Sequence, residues 1–220
     1  MNKNISFAFT VMCLAVAPMQ TIAQTTIHED LPNSTTSCIE EKHTESGNTY
    51  INPSLQDLLH HEDYDRLVMP KEKALKLLEA LDNNAYGINE RKTVSALLTA
   101  SEQTFSLQDL SAYRKVRSIQ VNSDGIFSYP YFSCHFKEKD GQTFFEKVTG
   151  SQRKSGYIYD NDSTSKIFLG GWSVNNDPQT TYSDSLHSEA GTLYKIGKKK
   201  MIMLFVVPDK KFEIYEIIIP

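Results

Sequence analysis

Met201-Ile202-Met203-Leu204-Phe205-Val206-Val207 is an unbroken apolar run between Lys200 and Pro208-Asp209. Its length, its valines and its turn-forming flank read as a β-strand. It shows no alternation, so both of its faces must be buried. In an antiparallel sheet with water on one side, one face of each strand would be polar. A second layer must therefore cover this strand, and the ending Ile214-Tyr215-Glu216-Ile217-Ile218-Ile219 asks for the same cover. The leucine-bearing segments between residues 55 and 102 are the candidates.

Around that run the chain changes character near Tyr113, where apolar spacing passes from a period of 3.6 to a period of 2. Strands are expected at 114–122, 129–137, 142–149, 155–160, 166–172, 191–196, 200–207 and 212–219. Asp124-Gly125, Asp140-Gly141 and Asn161-Asp162 supply turns between them. Short connections favour an antiparallel meander, and eight strands suffice to close a lipocalin-like up-and-down barrel; an open curved sheet is the other arrangement. The fold class is α+β, with N-terminal helices packed on a C-terminal antiparallel β-meander.

Ser54-Leu55-Gln56-Asp57 reads as a capping box that opens the helical segment, residues 54–112. Leu67, Leu75, Leu78 and Leu81 carry the helical stripe onward. Pro70 either kinks one helix or opens a second, and Asp82-Asn83-Asn84 with Gly87 ends it. A further helix is expected from about Glu90 to Glu102 with Val94, Leu97 and Leu98 inward. Ser-Leu-Gln-Asp-Leu occurs at 54–58 and again at 106–110 without repetition of its surroundings, so it marks two helix starts and no duplication.

Residues 1–23 have the form of a cleaved export signal: Lys3, an uncharged apolar stretch from Ile5 to Met19, then Thr21-Ile22-Ala23 before Gln24. The stretch falls short of the ~20 residues that span a bilayer, and no later apolar run is long enough to cross one. This predicts a periplasmic or secreted protein. Cleavage removes Lys3 alone among the charged residues and takes the net charge from −4 to −5. A mildly acidic, dispersed charge argues against nucleic acid as a partner and leaves a small ligand or an envelope protein. Residues 24–53, rich in Thr, Ser, Asn and Glu, read as a flexible tail. Residues 113–220 form the β domain, one folded unit with the helices.

Two cysteines remain after cleavage, Cys38 and Cys134. They either bridge or stay apart, Cys134 buried and Cys38 exposed. His28-Glu29-Asp30 and Cys38 with His43 lack metal-ligand spacing. In His60-His61-Glu62-Asp63 the adjacent histidines point about 100° apart on a helix, so the cluster reads as solvated helix surface. No metal site and no cofactor motif is expected.

The residues to test first lie within Glu146-Lys147-Val148-Thr149-Gly150-Ser151-Gln152-Arg153-Lys154-Ser155-Gly156-Tyr157-Ile158-Tyr159. A turn from Gly150 to Gly156, with Ser151, Gln152 and Arg153, either nests an anion on backbone N–H groups and a guanidinium or is a tight connection whose glycines permit positive φ. Ser151, His187 and Asp184 make a hydrolase trio only on paper, because the serine has no nucleophile-elbow context. His135 has the parity opposite Phe132, Cys134 and Phe136 and faces away from them. The aromatic residues Phe127, Tyr129, Tyr131, Phe132, Phe144, Phe145, Tyr157 and Tyr159 either line a ligand cavity or fill a small β core, and core is the plainer reading. Trp172, after Gly170-Gly171, either shuts one barrel end or caps a strand. No catalytic residue is assigned.

Tyr131-Phe132-Ser133-Cys134, Glu146 to Arg153 with Ser155-Gly156, Phe168-Leu169-Gly170, Gly191, Ile196-Gly197, and Glu216-Ile217 with Pro220 form a pattern. It resembles a family of exported bacterial proteins, the domain-of-unknown-function family numbered 4893. The resemblance covers roughly residues 55–220, with Asp63, Arg66-Leu67 and Ala80-Leu81 fitting the helical part. It implies compartment and architecture and carries no chemistry. Family members often have a second cysteine near the position of Val116, able to pair with the one at Cys134; here it is absent, which leaves Cys38 as the alternative partner.

Overall fold

The computed structural model describes residues 51–110, 112–183 and 186–219. The expected export signal, nearly all of the expected tail, Cys38 and Asp184 lie outside them. Ile51 is buried against Leu55 and Leu67, and the Asn52 N–H donates to Asn161 Oδ1 at 2.8 Å, so the folded body includes residues 51–53.

The strands are β1 (Ala112–Asn122), β2 (Gly125–Ser128), β3 (Phe132–Lys139), β4 (Gln142–Lys147), β5 (Gln152–Asp160), β6 (Ser165–Val174), β7 (Ser188–Gly197), β8 (Lys200–Val207) and β9 (Lys211–Ile218). Every pairing is antiparallel, and β3 to β9 follow one another in order. β9 returns to β1, from Lys115↔Ile218 to Asn122↔Lys211. The ring β1-β3-β4-β5-β6-β7-β8-β9 is a closed eight-stranded barrel, which removes the open edges of a free sheet.

One expected strand needs correction. Residues 129–137 do not form a single strand, because Pro130 lacks the N–H that a ladder requires. β2 pairs with the far half of β1 (Ile119↔Ser128) and β3 with the near half (Val116↔Phe132), and the register slips by one residue between them. β2 was not expected from the sequence. The strand 155–160 also starts earlier, at Gln152.

The N-terminal elements are α1 (His61–Leu67), α2 (Pro70–Glu79) and α3 (Arg91–Leu98), with 3-10 turns at Pro53–Leu58, Ile88–Glu90 and Leu107–Leu110. Ser54 is not the cap expected of it: Asn52 precedes the turn, and its side chain accepts from the Ser54 N–H at 3.1 Å. Pro70 opens α2 at its first turn after Met69, which sits at φ 49°. α3 stops at Leu98, short of Glu102, since Gln103 leaves to bond the Lys195 carbonyl at 2.8 Å.

Alternation divides β8 between two cores. Met201, Met203 and Phe205 point into the barrel beside Phe145, Phe168 and Tyr215. Ile202, Leu204 and Val206 point outward under Ala74 and Leu78 of α2 and Val94, Leu97 and Leu98 of α3. A smaller cluster seats Leu55 and Leu67 on Ile167, Leu169 and Ala190. The helices thus form the required cover.

One barrel end is plugged. Phe105 and Leu110 are buried there, the Phe105 N–H donates to the Ser163 carbonyl at 3.1 Å, and Arg114 donates to the Asp109 carbonyl at 3.1 Å. Of the aromatic residues weighed as cavity lining or core, Phe145 is buried in the barrel core with Phe136 and Phe168. At the opposite end the filling changes from apolar to polar.

Candidate functional site

That opposite end is a mouth, with a cavity of about 1190 Å³. Its inward-facing lining comes from strand ends: Gln120 on β1, Gln152 and Lys154 on β5, Trp172 on β6, Glu189 on β7, and Phe205, Glu213 and Tyr215 on β8 and β9. Each keeps the parity of the barrel core, because the same alternation that buries Phe168 and Tyr215 carries Trp172 and Glu213 to the interior.

Lys154 anchors the floor. Its side chain is 8% exposed, and its ammonium lies 3.0 Å from Glu189 Oε1, 3.3 Å from Glu213 Oε2 and 4.4 Å from the centre of the Phe205 ring. Glu213 also accepts from Ser118 Oγ at 2.5 Å and from Gln120 Nε2 at 3.3 Å, and Gln120 reaches Gln152 Oε1 at 3.1 Å. Burial works to raise the Glu213 pKa, but Lys154 and the Ser118 and Gln120 donors outweigh it and hold the carboxyl below its usual range. Burial likewise works to lower the Lys154 pKa, and Glu213 and Glu189 outweigh it and raise it.

Deeper on the same side, Lys147 donates to the Gln152 carbonyl at 2.6 Å and sits over the Phe132 ring at 4.7 Å. Burial lowers its pKa, helped by the neighbouring Lys154 and opposed by Glu213. Cys134 is a buried free thiol in the interior, and burial pushes it up to about 12, which leaves it without thiolate character at neutral pH.

A strap crosses the rim between β6 and β7. At one side Arg153 donates to the Asp177 carbonyl at 2.7 Å, and Gln179 reaches Glu146 at 3.4 Å. At the other side the Tyr182 hydroxyl donates to Asp63 Oδ2 at 2.5 Å and accepts from the His60 N–H at 2.9 Å, with the His60 and Tyr182 rings stacked 4.3 Å apart. Asp63 is 1% exposed and bonds Arg66 at 2.9 Å. The expectation that His60 to Asp63 form solvated helix surface is therefore corrected at Asp63, which is buried as the strap's anchor. His61 and Glu62 stay exposed.

The structure separates the sequence candidates. Gly150 has φ 95° and lies under the Phe132 ring, a position that needs glycine. The Ser151 carbonyl accepts from the Asn175 N–H at 2.7 Å. Gln152 and Arg153 line the mouth. Gly156 is not part of the turn: it sits in mid-β5, without positive φ, opposite Gly170. The expected Gly150–Gly156 turn is shorter because β5 pairing already starts at Gln152↔Val174. His187 packs against Trp172 at 4.6 Å between ring centres, and Asp184 lies outside the described residues. His135 faces out of the barrel and reaches Glu146 at 2.5 Å.

Lys154, Glu189 and Glu213 were missed as site residues. The available signal was parity: Glu213 shares the face of Tyr215 and Ile217, and a charge on a core face calls for a buried partner. Among the described residues no group of His, Cys, Asp and Glu is placed to hold a metal ion, and no helix is long and apolar enough to cross a membrane.

Barrel, helical jacket and polar mouth together define a closed antiparallel β-barrel domain with one plugged and one accessible end. The chain belongs to the family described as Domain of unknown function (DUF4893), whose family model matches residues 56–217. No curated protein matches it. A solved structure of a redesigned beta barrel is similar with 10% identity and a TM-score of 0.36, covering 55% of this chain and 99% of that one.

Proposed function

We propose that this chain is an exported, non-enzymatic binding barrel whose mouth takes a small polar molecule. The observation that carries the reading is the cluster of buried Lys154 with partly buried Glu189 and Glu213 on the floor of a cavity of about 1190 Å³. A barrel that needed only stability would continue its apolar packing to the end, since well-packed hydrophobic residues commonly equal or exceed a buried ion pair in stability. Polar groups converging on a cavity are the ordinary composition of a ligand site. The strap from Asp177 to Tyr182 frames the opening.

Trp172, the chain's single tryptophan, lines the mouth and reports on it. Saccharides, amino acids, small carboxylates and small amines, each titrated against the purified protein, should include at least one class that shifts Trp172 emission saturably and raises Tm. A flat response from every class would remove the reading. Export through residues 1–23 is checked by the mass of the N-terminal peptide from a periplasmic fraction. Gln24 is expected as the first residue, and an intact Met1 in the cytosol would exclude it.

A further inference from the structure

We propose that the molecule held at the mouth is a neutral saccharide, stacked on Trp172 and hydrogen-bonded by Glu189 and Gln152; this rests on the reading of the mouth as a binding site. The first ground is charge. The cavity is lined by four carboxylates and four lysine or arginine side chains, so the lining has no net charge to concentrate an ion of either sign. Locally the charges also balance, because Lys154 and the neighbouring Lys147 stand against Glu189 and Glu213. Lys154 already lies between two carboxylates, so a second ammonium would compete with it, and an anion would meet a lysine that is neutralised. Arg153 is turned to the Asp177 carbonyl.

The second ground is the hydrogen-bonding capacity left over. Glu189 gives one oxygen to Lys154 and is 26% exposed, so its other oxygen can accept from hydroxyl groups in the cavity. Gln152 uses its side-chain oxygen on Gln120 and keeps its amide N–H groups. These are fixed acceptors and donors, the carboxylate's charge being met by Lys154, which suits a molecule that carries many hydroxyls.

The third ground is the ring. Trp172 is half-buried, held edge-on by His187, and directed to the mouth by its barrel-interior parity on β6. A pyranose presents a face of C–H groups that packs on an indole while its hydroxyls point to the rim, the same amphipathic use that places tryptophan where one side is apolar and the other wet. The cavity, at about 1190 Å³, somewhat exceeds the roughly 300–1,000 Å³ range of small-molecule sites, which gives room for more than one sugar ring.

The test titrates neutral mono- and oligosaccharides (glucose, maltotriose, N-acetylglucosamine and its dimer) beside glutamate, lysine and succinate. Trp172 emission and calorimetry are both followed. At least one saccharide should bind saturably. Glu189→Gln and, by calorimetry, Trp172→Ala should each weaken it roughly tenfold or more, while Trp172→Phe, which keeps a stacking face, loses less. Thermal melts confirm that each variant is folded. Binding of a charged solute with no response to any saccharide overturns the assignment and leaves the mouth as a binding site. No binding by any solute overturns both readings. Saccharide binding unchanged in Glu189→Gln and Trp172→Ala overturns the placement.

Discussion

Gly156 and Gly170 stand directly opposite each other on β5 and β6, with backbones so close that a Cβ on Gly156 would lie 2.4 Å from the Gly170 Cα. A Cβ on Gly170 would meet the Phe168 ring at 2.5 Å. Neither glycine has positive φ, so what they supply is room: the barrel wall bends over its aromatic filling where no side chain fits. Gly156→Ala and Gly170→Ala should each cost about 3 kcal/mol, the upper end of overpacking penalties. Gly197→Ala, where the nearest atom is an ordinary 3.7 Å away, should be near neutral. Denaturant midpoints compare the three, and equal midpoints for Gly156→Ala and Gly197→Ala would refute the crowding argument.

Removing the ammonium at the floor of the mouth strands two carboxylates. Lys154→Met should destabilise the fold by about 3–5 kcal/mol, the usual cost of leaving a buried charge unpaired. Lys154→Met with Glu213→Gln should recover part of that loss, because the remaining Gln can be served by Ser118 and Gln120. A double-mutant cycle by urea unfolding measures it. Additive losses would mean that the two side chains do not act as a pair.

Much of this architecture was legible in the sequence. The unbroken run Met201–Val207 required a cover on its outer face, and Leu78, Val94 and Leu98 provide it. The break at Pro130 was not legible, since strand propensity in Tyr129, Tyr131 and Phe132 masks a break that depends on one missing N–H. Part of the site was legible too: Gln152 and Arg153 line the mouth. Their neighbours Glu189 and Glu213 come from strands distant in sequence, and only barrel closure through β1 and β9 brings Glu213 to Lys154. Local spacing holds no record of that meeting, although parity alone marked Glu213 as a charge on a buried face.

The strap is held at α1 by one hydroxyl that both donates and accepts. Tyr182→Phe removes the bond to Asp63 and the acceptor for the His60 N–H together. The ring remains, so stacking on His60 survives while Asp63 keeps Arg66 as its partner. The expected loss is about 1–3 kcal/mol, with faster hydrogen exchange confined to the β6–β7 connection and α1. Exchange that rises equally throughout the barrel would show that the strap is not a local unit.

Acid should act on the barrel through buried glutamates. Burial works to raise the Glu216 pKa, but Lys200, Arg117 and Tyr131 outweigh it and lower it. Its contacts are Lys200 at 2.7 Å, Tyr131 at 2.9 Å and Arg117 at 2.5 Å, on a side chain 3% exposed. Glu213 is lowered in the same sense. A carboxyl whose pKa is lower when folded contributes stability above its unfolded value, about 4.3, and that contribution disappears as pH falls through the folded value. Wild type should therefore lose stability steadily below about pH 4. Glu216→Gln should be less stable than wild type at pH 7, and the gap should close in acid, where the wild-type carboxyl is protonated and resembles the amide. Urea midpoints for both proteins between pH 7 and pH 2.5 measure the gap, and a gap that stays constant over that range would show that ionisation of Glu216 contributes nothing to the fold.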